Sequence, residues 1–284
     1  MAALEIRAGE LADLAATVHL MALGFPAANK FSTQFLTWQY YDNPVGAPLI
    51  CNINEGAQLV GHLAGIPVEV SLRGVARMVT LIMNIAVHPA YRGRGLITTL
   101  TEQVMAMSAA RGHAGVVGVA NQHSVAAFEH KLGFQNVAGL NASIEWLPQR
   151  IAVQDALASV EFVRRWSDAS LRWRMNNPAN PLKVIGQTDD SLIVEGASSL
   201  PLLRARAVIP RAGLTQHSIA QRVPRAAVVL GLTPPHSVRR RLAVTIPARL
   251  RPSPLRLIYF DHENRHARLD AKRVLFNFLD FDAF

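Results

Sequence analysis

The stretch of residues 85–96, IAVHPAYRGRGL, constrains the fold of this chain more than any other. Its apolar, β-branched start favours a strand, and that strand should end near Pro89, which has no N–H to offer a sheet. Gly93 and Gly95 follow, and a helix-forming run begins directly after them. Glycines tolerate left-handed backbone, so the N–H groups of such a turn can converge with the unpaired N–H groups of the helix start. The stretch therefore predicts a strand, a turn that binds adjacent phosphates, and a helix.

A second block lies about thirty residues further along the chain. The apolar run 114–120 predicts a buried parallel strand. Asn121 follows it, and a helix is expected from Ser124 to Lys131. Gly133 supplies the left-handed residue that ends such a helix, and Phe134 should re-enter the sheet.

Together the two blocks resemble the GNAT superfamily of N-acetyltransferases. The run 92–97 is similar to its Q/R-x-x-G-x-G/A signature, with Arg92 and Gly95 at the most restrictive positions and Ile97 in place of the last small residue. The resemblance implies an α/β fold, a mixed and mostly antiparallel sheet flanked by helices, with acetyl-coenzyme A wedged where two parallel strands separate. The implied cofactor contacts are Ile85, Ala86, Val87, Arg92, Gly93, Arg94, Gly95, Leu96, Ile97 and Asn121.

The resemblance also implies direct acyl transfer, with the backbone N–H of Val87 donating to the thioester carbonyl. Relatives often carry a tyrosine after the position of Phe128 that protonates the departing thiolate, and this chain has Glu129 there. A carboxylic acid could serve only if burial kept it protonated. The alternatives are a solvated Glu129, with another residue or water as the acid.

The general base is left open by the sequence. No acid lies between Glu69 and Glu102, so the glutamate that many relatives use is missing. A further candidate is the terminal carboxylate of Phe284, by similarity to multidomain acetyltransferases that modify aminoglycosides. The remaining candidates are His62, Glu69, His88 and His123.

One stretch of the sequence has the letters of a metal-binding motif. Residues 262–266 read HENRH, the His-Glu-x-x-His form that binds zinc when both imidazoles lie on one helix face. The flanking residues are charged and give no apolar helix face, so a surface segment and no metal site are predicted. The single cysteine, Cys51, excludes an internal disulfide and is expected to be a buried core thiol.

The first half has the full order of elements of an acetyltransferase. We predict strands at 4–6, 49–52, 58–72, 76–87, 114–119 and 134–145, and helices at 9–23, 29–41, 96–111 and 124–131. The second half repeats this order without a phosphate turn, with strands at 182–185, 191–194, 203–209, 226–230, 255–260 and 274–279 and helices at 215–222 and 237–241.

A short sequence echo links the halves. Residues 38–44, WQYYDNP, are echoed by 173–178, WRMNNP. We therefore predict an acyl-coenzyme A-binding domain at 1–147 and a degenerate GNAT-like or substrate-specificity domain at 148–284. The alternative is that so short an echo arises by chance.

Charge divides the chain in the same place. The net charge is +9, and residues 196–260 contain no acid but eleven arginines. Such a segment would attract an anionic acceptor, although the chain uses arginine widely. Aromatic residues do not interleave with these arginines and no DNA-binding motif is present, so nucleic acid is not an expected partner.

The sequence thus predicts an N-acetyltransferase that uses acetyl-coenzyme A on a small amine, located in the cytoplasm because it has neither a membrane span nor a secretory leader. The first alternative is a module that binds acyl-coenzyme A with little or no catalysis, favoured by the missing tyrosine and glutamate. The second, favoured only by the basic half, is an acetyltransferase associated with nucleic acid. Oligomeric state is not encoded in any pattern found.

Overall fold

The computed structural model describes residues 3–26, 28–122, 124–146, 150–151, 159–188, 191–200, 202–210, 226–235, 238–239, 243–247, 251 and 254–282. These form two compact units that interleave along the chain. The first contains Met1–Val68, Met78–Asn136 and Ile258–Ala267, and the second contains Glu69–Arg77, Val137–Leu257 and Arg268–Phe284. The sequence-based division at residue 147 is a single cut, and it falls on a residue outside the described ones.

The first unit is built on a mixed sheet. It contains β1 (Leu4–Ala8), β2 (Leu49–Glu55) and β5 (Gly115–Ala120). It also contains most of β3 (Gln58–Leu72) and β4 (Val75–Val87) and the start of β6 (Gln135–Gly139). Strands β1, β2 and β3 pair antiparallel, and β4 pairs parallel with β5. A two-residue turn joins β3 to β4, with Arg73 at φ 51° and Gly74 at φ 81°, the left-handed pair that a tight hairpin requires.

The helices of this unit are α1 (Leu14–Gly24), α2 (Thr33–Tyr40), α3 (Leu96–Ala110) and α4 (Val125–Leu132). The side chain of Ser32 accepts the Phe35 N–H at the start of α2, and Gly133 ends α4 at φ 72°. Apolar side chains of α3, α4 and the sheet form the main core cluster, which includes Leu100, Val116 and Phe128.

A strand from late in the chain completes the first unit. Strand β16 (Arg256–Asp261) lies beside β5, and its residues Ile258 and Phe260 belong to the main core cluster. The rings of Phe260 and Phe134 are 5.5 Å apart. A Cβ on Gly115 would lie 2.3 Å from the carbonyl oxygen of Phe260, so only glycine permits this approach. The first unit is therefore not a contiguous segment of the sequence.

The described residues of the second unit form strands and two helices. Their bounds are β7 (Asn141–Glu145), β8 (Arg150–Ile151), β9 (Phe162–Arg164), α5 (Asp168–Met175), β10 (Lys183–Gln187), β11 (Ser191–Ala197), β12 (Arg204–Pro210), β13 (Ala227–Leu232), β14 (Val238–Arg239), β15 (Ala243–Thr245), β17 (Val274–Asn277) and α6 (Phe278–Phe281). Strands β10, β11 and β12 pair antiparallel, and β12 pairs parallel with β13.

The pairing order of the second unit repeats that of the first. In each, a helix precedes three successive strands, and a fourth strand pairs parallel with the third. The sequence echo lies at matching places: Ser32 and Ser167 cap α2 and α5. The side-chain oxygens of Asn43 and Asn177 accept N–H groups two residues further on.

Three predicted elements differ from the structure. The strand expected at 134–145 is divided at Leu140 into β6 and β7. The strand expected at 274–279 ends at Asn277, whose side chain accepts the Leu279 N–H and starts α6. The segment 237–241, where a helix is expected, contains strand β14 instead. The segment 215–222, where the other helix is expected, lies outside the described residues.

Candidate functional site

The turn between β4 and α3 has the predicted left-handed glycines. Gly93 and Gly95 both have φ 78°, and no atom lies within 4 Å of where a Cβ would stand on either. Residues 92–95 are exposed to solvent. The glycines are therefore required by backbone conformation, and the space over the turn is open for a ligand.

Helix α3 begins on this turn. The carbonyl of Gly95 accepts the N–H groups of Thr98 at 2.9 Å and Thr99 at 3.2 Å, which leaves the N–H groups of Leu96 and Ile97 without an intrahelical acceptor. These groups form the positive end of a fifteen-residue helix. Together with the glycines they make a concavity suited to an anion with two adjacent phosphates.

Side chains behind the turn hold it in place. Tyr91 is buried in the main core cluster, and its hydroxyl donates to the carboxylate of Glu55, which raises the pKa of the phenol. The guanidinium of Arg94 stacks 4.7 Å from the Tyr91 ring centroid, and Ile97 packs against the same cluster. Tyr91 thus packs under the turn.

The parallel strands of the first unit separate just before the turn. Pairing between β4 and β5 runs from Val79 to Ile82 on β4 and stops there, although β4 continues to Val87 and β5 to Ala120. Residues 83–85 are half-buried in an otherwise buried part of β4. A gap therefore opens beside the end of β4.

The backbone of Val87 is oriented toward this gap. The N–H of His88 donates to the carbonyl of Val60 on β3 at 2.9 Å. Successive N–H groups of a strand point to opposite sides, so the Val87 N–H is directed away from β3, to the side that β5 has left. This is the direction needed to donate to a carbonyl lying in the gap.

Asn121 lies in the turn between β5 and α4, three residues before the N-cap Ser124. Its side-chain oxygen accepts the N–H of Ser124 at 3.0 Å and the Ser124 hydroxyl at 3.1 Å. The residue is exposed at the end of β5. The structure thus shows a helix-capping contact, and a contact between Asn121 and a cofactor remains a prediction.

Glu129, the predicted acid, lies on α4. It is half-buried on α4 and accepts a hydrogen bond from Asn136 at 3.3 Å. Its role as the acid stays a prediction. The observation favours the alternative of a partly solvated helix residue.

The candidate bases are placed differently from one another. His62 is fully buried, and burial lowers its pKa to about 3, which makes its imidazole too weak a base near neutral pH. Glu69 is paired with Arg165 at 2.7 Å in the second unit. His88 follows Val87 directly and is half-buried, and its Nδ1 accepts the Ala90 N–H. His123 and Phe284 lie outside the described residues.

The HENRH segment is not helical. Asp261 accepts the N–H groups of Glu263 and Asn264, and His262 makes a hydrogen bond to Ser108 at 3.0 Å. Across the described part of the chain, no group of three or more His, Cys, Asp or Glu side chains could hold a metal ion. Cys51 is buried, and burial raises the pKa of its thiol to about 11.

Sequence reasoning missed one polar residue at the gap. Asn84 lies inside β4 at φ 53°, and its amide donates to Gln39 at 2.5 Å and to the Tyr40 hydroxyl at 2.8 Å. The available signal was an asparagine within an apolar strand, since asparagine tolerates left-handed backbone better than most residues do.

A sheet that opens between two parallel strands, with a glycine turn and a helix start after the first of them, is the arrangement of a GNAT fold. The family model described as "Acetyltransferase (GNAT) domain" matches residues 5–137. No curated protein matches the chain.

Solved structures with similar folds cover most of the chain. A GCN5-related N-acetyltransferase from Kribbella flavida matches 91% of this chain and 72% of its own at 14% identity, with a TM-score of 0.59. A GCN5-related N-acetyltransferase from Anabaena variabilis matches 91% and 73% at 12% identity, with a TM-score of 0.58. A probable N-acyltransferase from Enterococcus faecalis matches 92% and 73% at 10% identity, with a TM-score of 0.56. Residues 5–137 thus match a GNAT acetyltransferase domain, and the fold of the chain is similar to that of GNAT N-acetyltransferases.

Proposed function

We propose that the first unit binds acetyl-coenzyme A and transfers its acetyl group to an amine. The observation that carries this is the turn at residues 92–97, where two left-handed glycines meet the start of α3 under open space. The pyrophosphate would lie on the N–H groups of this turn, and the thioester would lie in the gap beside the end of β4.

The acetyl transfer needs few side chains. The amine nitrogen attacks the thioester carbonyl carbon, the C–N bond forms, and the C–S bond then breaks. The Val87 N–H would stabilise the oxyanion, with Ile85 and Ala86 lining the same strand end. His88, His123 and the Phe284 carboxylate remain the proposed bases. The leaving sulfur would take a proton from Glu129, from another group or from water.

The test of the cofactor site is a substitution in the turn. In Gly95→Asp, a carboxylate is placed where the pyrophosphate would lie, and coenzyme A binding measured by calorimetry should be lost. The matched control is Gly74→Asp, because Gly74 has φ 81° and equally open surroundings but lies in the β3–β4 hairpin. Binding should survive in the control. Equal affinity in both variants and in the unmodified chain would refute the site.

A binding module with little catalysis is the second candidate. The partly solvated Glu129 and the buried, weakly basic His62 favour it, since neither supplies acid–base chemistry at the gap. The distinction is made by incubating acetyl-coenzyme A with a panel of small amines and measuring thiol release. Binding without release above the uncatalysed rate would select the module.

The acceptor is proposed to be a small amine, with the second unit providing its specificity as a degenerate repeat of the first. The arginine-rich segment supports an anionic acceptor less strongly than its sequence suggests. Arg206 is buried and paired with Glu195 at 2.7 Å, and Arg251 donates to the carbonyls of Ile246 and Leu140. If the acceptor is drawn by charge, its rate of acetylation should fall as salt rises.

The part of the chain that the structure describes contains no helix long and apolar enough to cross a membrane. We retain a cytoplasmic location as a proposal, testable by fractionation of cells that express the chain.

A further inference from the structure

Strand β1 lies at one edge of the sheet of the first unit. Among the described residues it pairs with β2 alone, over Leu4–Ala8. The N–H of Gly9, the residue after β1, donates to the carbonyl of Ile50 on β2 at 2.9 Å. Backbone groups of an antiparallel strand alternate between its two sides, so every second residue counted back from Gly9 bonds to β2. The residues between them are exposed and direct their N–H and C=O groups to the outer edge: Leu4, Ile6 and Ala8.

This edge also carries exposed apolar side chains. Leu4 is 40% exposed and Ile6 is 46% exposed. Ile6 lies opposite Ile53 of β2, and Ile53 packs with side chains of α3 in the main core cluster. Leu4 and Ile6 therefore point to the α3 side of the sheet, but the helix leaves them uncovered. An edge with unpaired backbone groups and apolar side chains is one to which another strand can add.

The charges on β1 fit a second copy of the same strand. If two copies pair antiparallel, the outward residues of one must meet the outward residues of the other, and three registers pair at least two of them. One register places Glu5 opposite Glu5, and another places Arg7 opposite Arg7. The register with Ile6 on the two-fold axis places Glu5 opposite Arg7, and it alone avoids opposed like charges, which are destabilising. It is also the register that pairs all three outward residues.

The backbone groups of the edge are available for this pairing. Ile6 would pair with Ile6 of the second copy, and Leu4 would pair with Ala8, each pair exchanging two hydrogen bonds. The Ala8 carbonyl accepts the Arg7 guanidinium at 3.1 Å, and its second lone pair is left for the second copy. That contact also places the guanidinium at the edge. It is paired with Asp13, and its further N–H groups can bind the facing carboxylate.

We propose that β1 pairs antiparallel with β1 of a second copy of this chain, about a two-fold axis at Ile6, and joins the two sheets edge to edge. The same residues meet on both sides, so the contact closes on itself and gives a dimer rather than a filament. The inference does not involve the cofactor site, so its failure would leave the proposed function unaffected.

The first test is the dependence of mass on concentration, measured by analytical ultracentrifugation. The unmodified chain should change from 31.0 kDa to twice that mass as its concentration rises. Glu5→Arg places like charges opposite each other and should weaken the dimer at least tenfold. The matched control is Glu102→Arg, the same change of charge at an exposed position on α3, and it should dimerise as the unmodified chain does.

The second test fixes the register by disulfide formation under mild oxidation. In Ile6→Cys the two cysteines would face each other with their Cα atoms about 5.5 Å apart, within reach of a disulfide. In the matched control Leu4→Cys they would lie about 13 Å apart along the strands and should not be joined. The native Cys51 is buried. A covalent dimer is therefore expected in Ile6→Cys alone.

Three results would overturn the proposal. The first is a single-chain mass at every concentration, and the second is a dimer that Glu5→Arg leaves as stable as before. The third is equal yields of covalent dimer from Ile6→Cys and Leu4→Cys, which would mean that the strands do not pair in this register.

Discussion

At the scale of single residues, burial decides which side chains can accept a proton. His62 has the side chain of a general base, but it sits with its ring stacked near Tyr40, 5.9 Å between centroids, and with both nitrogens engaged. Nothing in the sequence separates it from the half-buried His88. The difference is a property of packing, because the cost of charging an imidazole depends on the water removed around it.

The buried state of His62 predicts a pH dependence of stability. Its pKa is about 3 in the folded chain and near 6.5 when unfolded, so below pH 6.5 the unfolded chain binds the extra proton. Stability from the neutral imidazole is complete above pH 6.5 and is lost toward pH 3, by about 1.4 kcal/mol per pH unit. Urea unfolding at pH 7 and pH 5 should show a drop about 2 kcal/mol larger in the unmodified chain than in His62→Gln. Equal drops would contradict the assignment.

At the scale of elements, caps and turns follow from local sequence. Serine is a common capping residue, and serines cap α2 and α5. Left-handed glycine is typical of helix ends and tight turns, and it is found at Gly133 and in the hairpin at Arg73 and Gly74. The break of the predicted strand at Leu140 does not follow from its apolar pattern. Leu140 donates its N–H to the carbonyl of Leu255, a residue more than a hundred positions away.

Two substitutions of Asn121 distinguish a helix-capping role from a cofactor-binding role. Asn121→Ala removes the oxygen that caps α4 and should lower the free energy of unfolding by about 1 kcal/mol. Asn121→Asp keeps a capping oxygen but loses the amide and adds negative charge. Its stability should be unchanged, and its affinity for coenzyme A should fall if the amide contacts the cofactor arm. Unchanged affinity in both variants would leave Asn121 as a cap alone.

At the scale of the whole molecule, the units are not consecutive in sequence. The first unit needs residues 258–267, whose Ile258 and Phe260 are buried in its core beside Phe134. A chain that lacks residues 258–267 would expose that apolar surface and would leave one edge of β5 without a neighbouring strand.

This predicts that a fragment of residues 1–147 does not fold on its own. Its thermal unfolding, followed by circular dichroism, should lack the cooperative transition of the full chain, and it should not bind coenzyme A. Co-expression with residues 148–284 is the control, because it returns the missing strand and should restore both. A fragment that unfolds cooperatively and binds coenzyme A would show that β16 is dispensable.

The sequence by itself determined the elements whose causes are local. The glycines of the turn, the helix that follows them and the order of strands in the first half could all be predicted, because backbone conformation and side-chain periodicity act over a few residues. The match of residues 5–137 to a GNAT domain could be anticipated for the same reason, since the signature of that domain is such a turn.

Only the tertiary structure decided the contacts between distant residues. The insertion of β16 beside β5 joins residues that no local pattern links. The same holds for the hydrogen bond from Asn84 to Tyr40 and for that from Asn52 to Asp13. Their formation depends on burial and on the need of each buried polar group for a partner, which the assembled fold alone supplies.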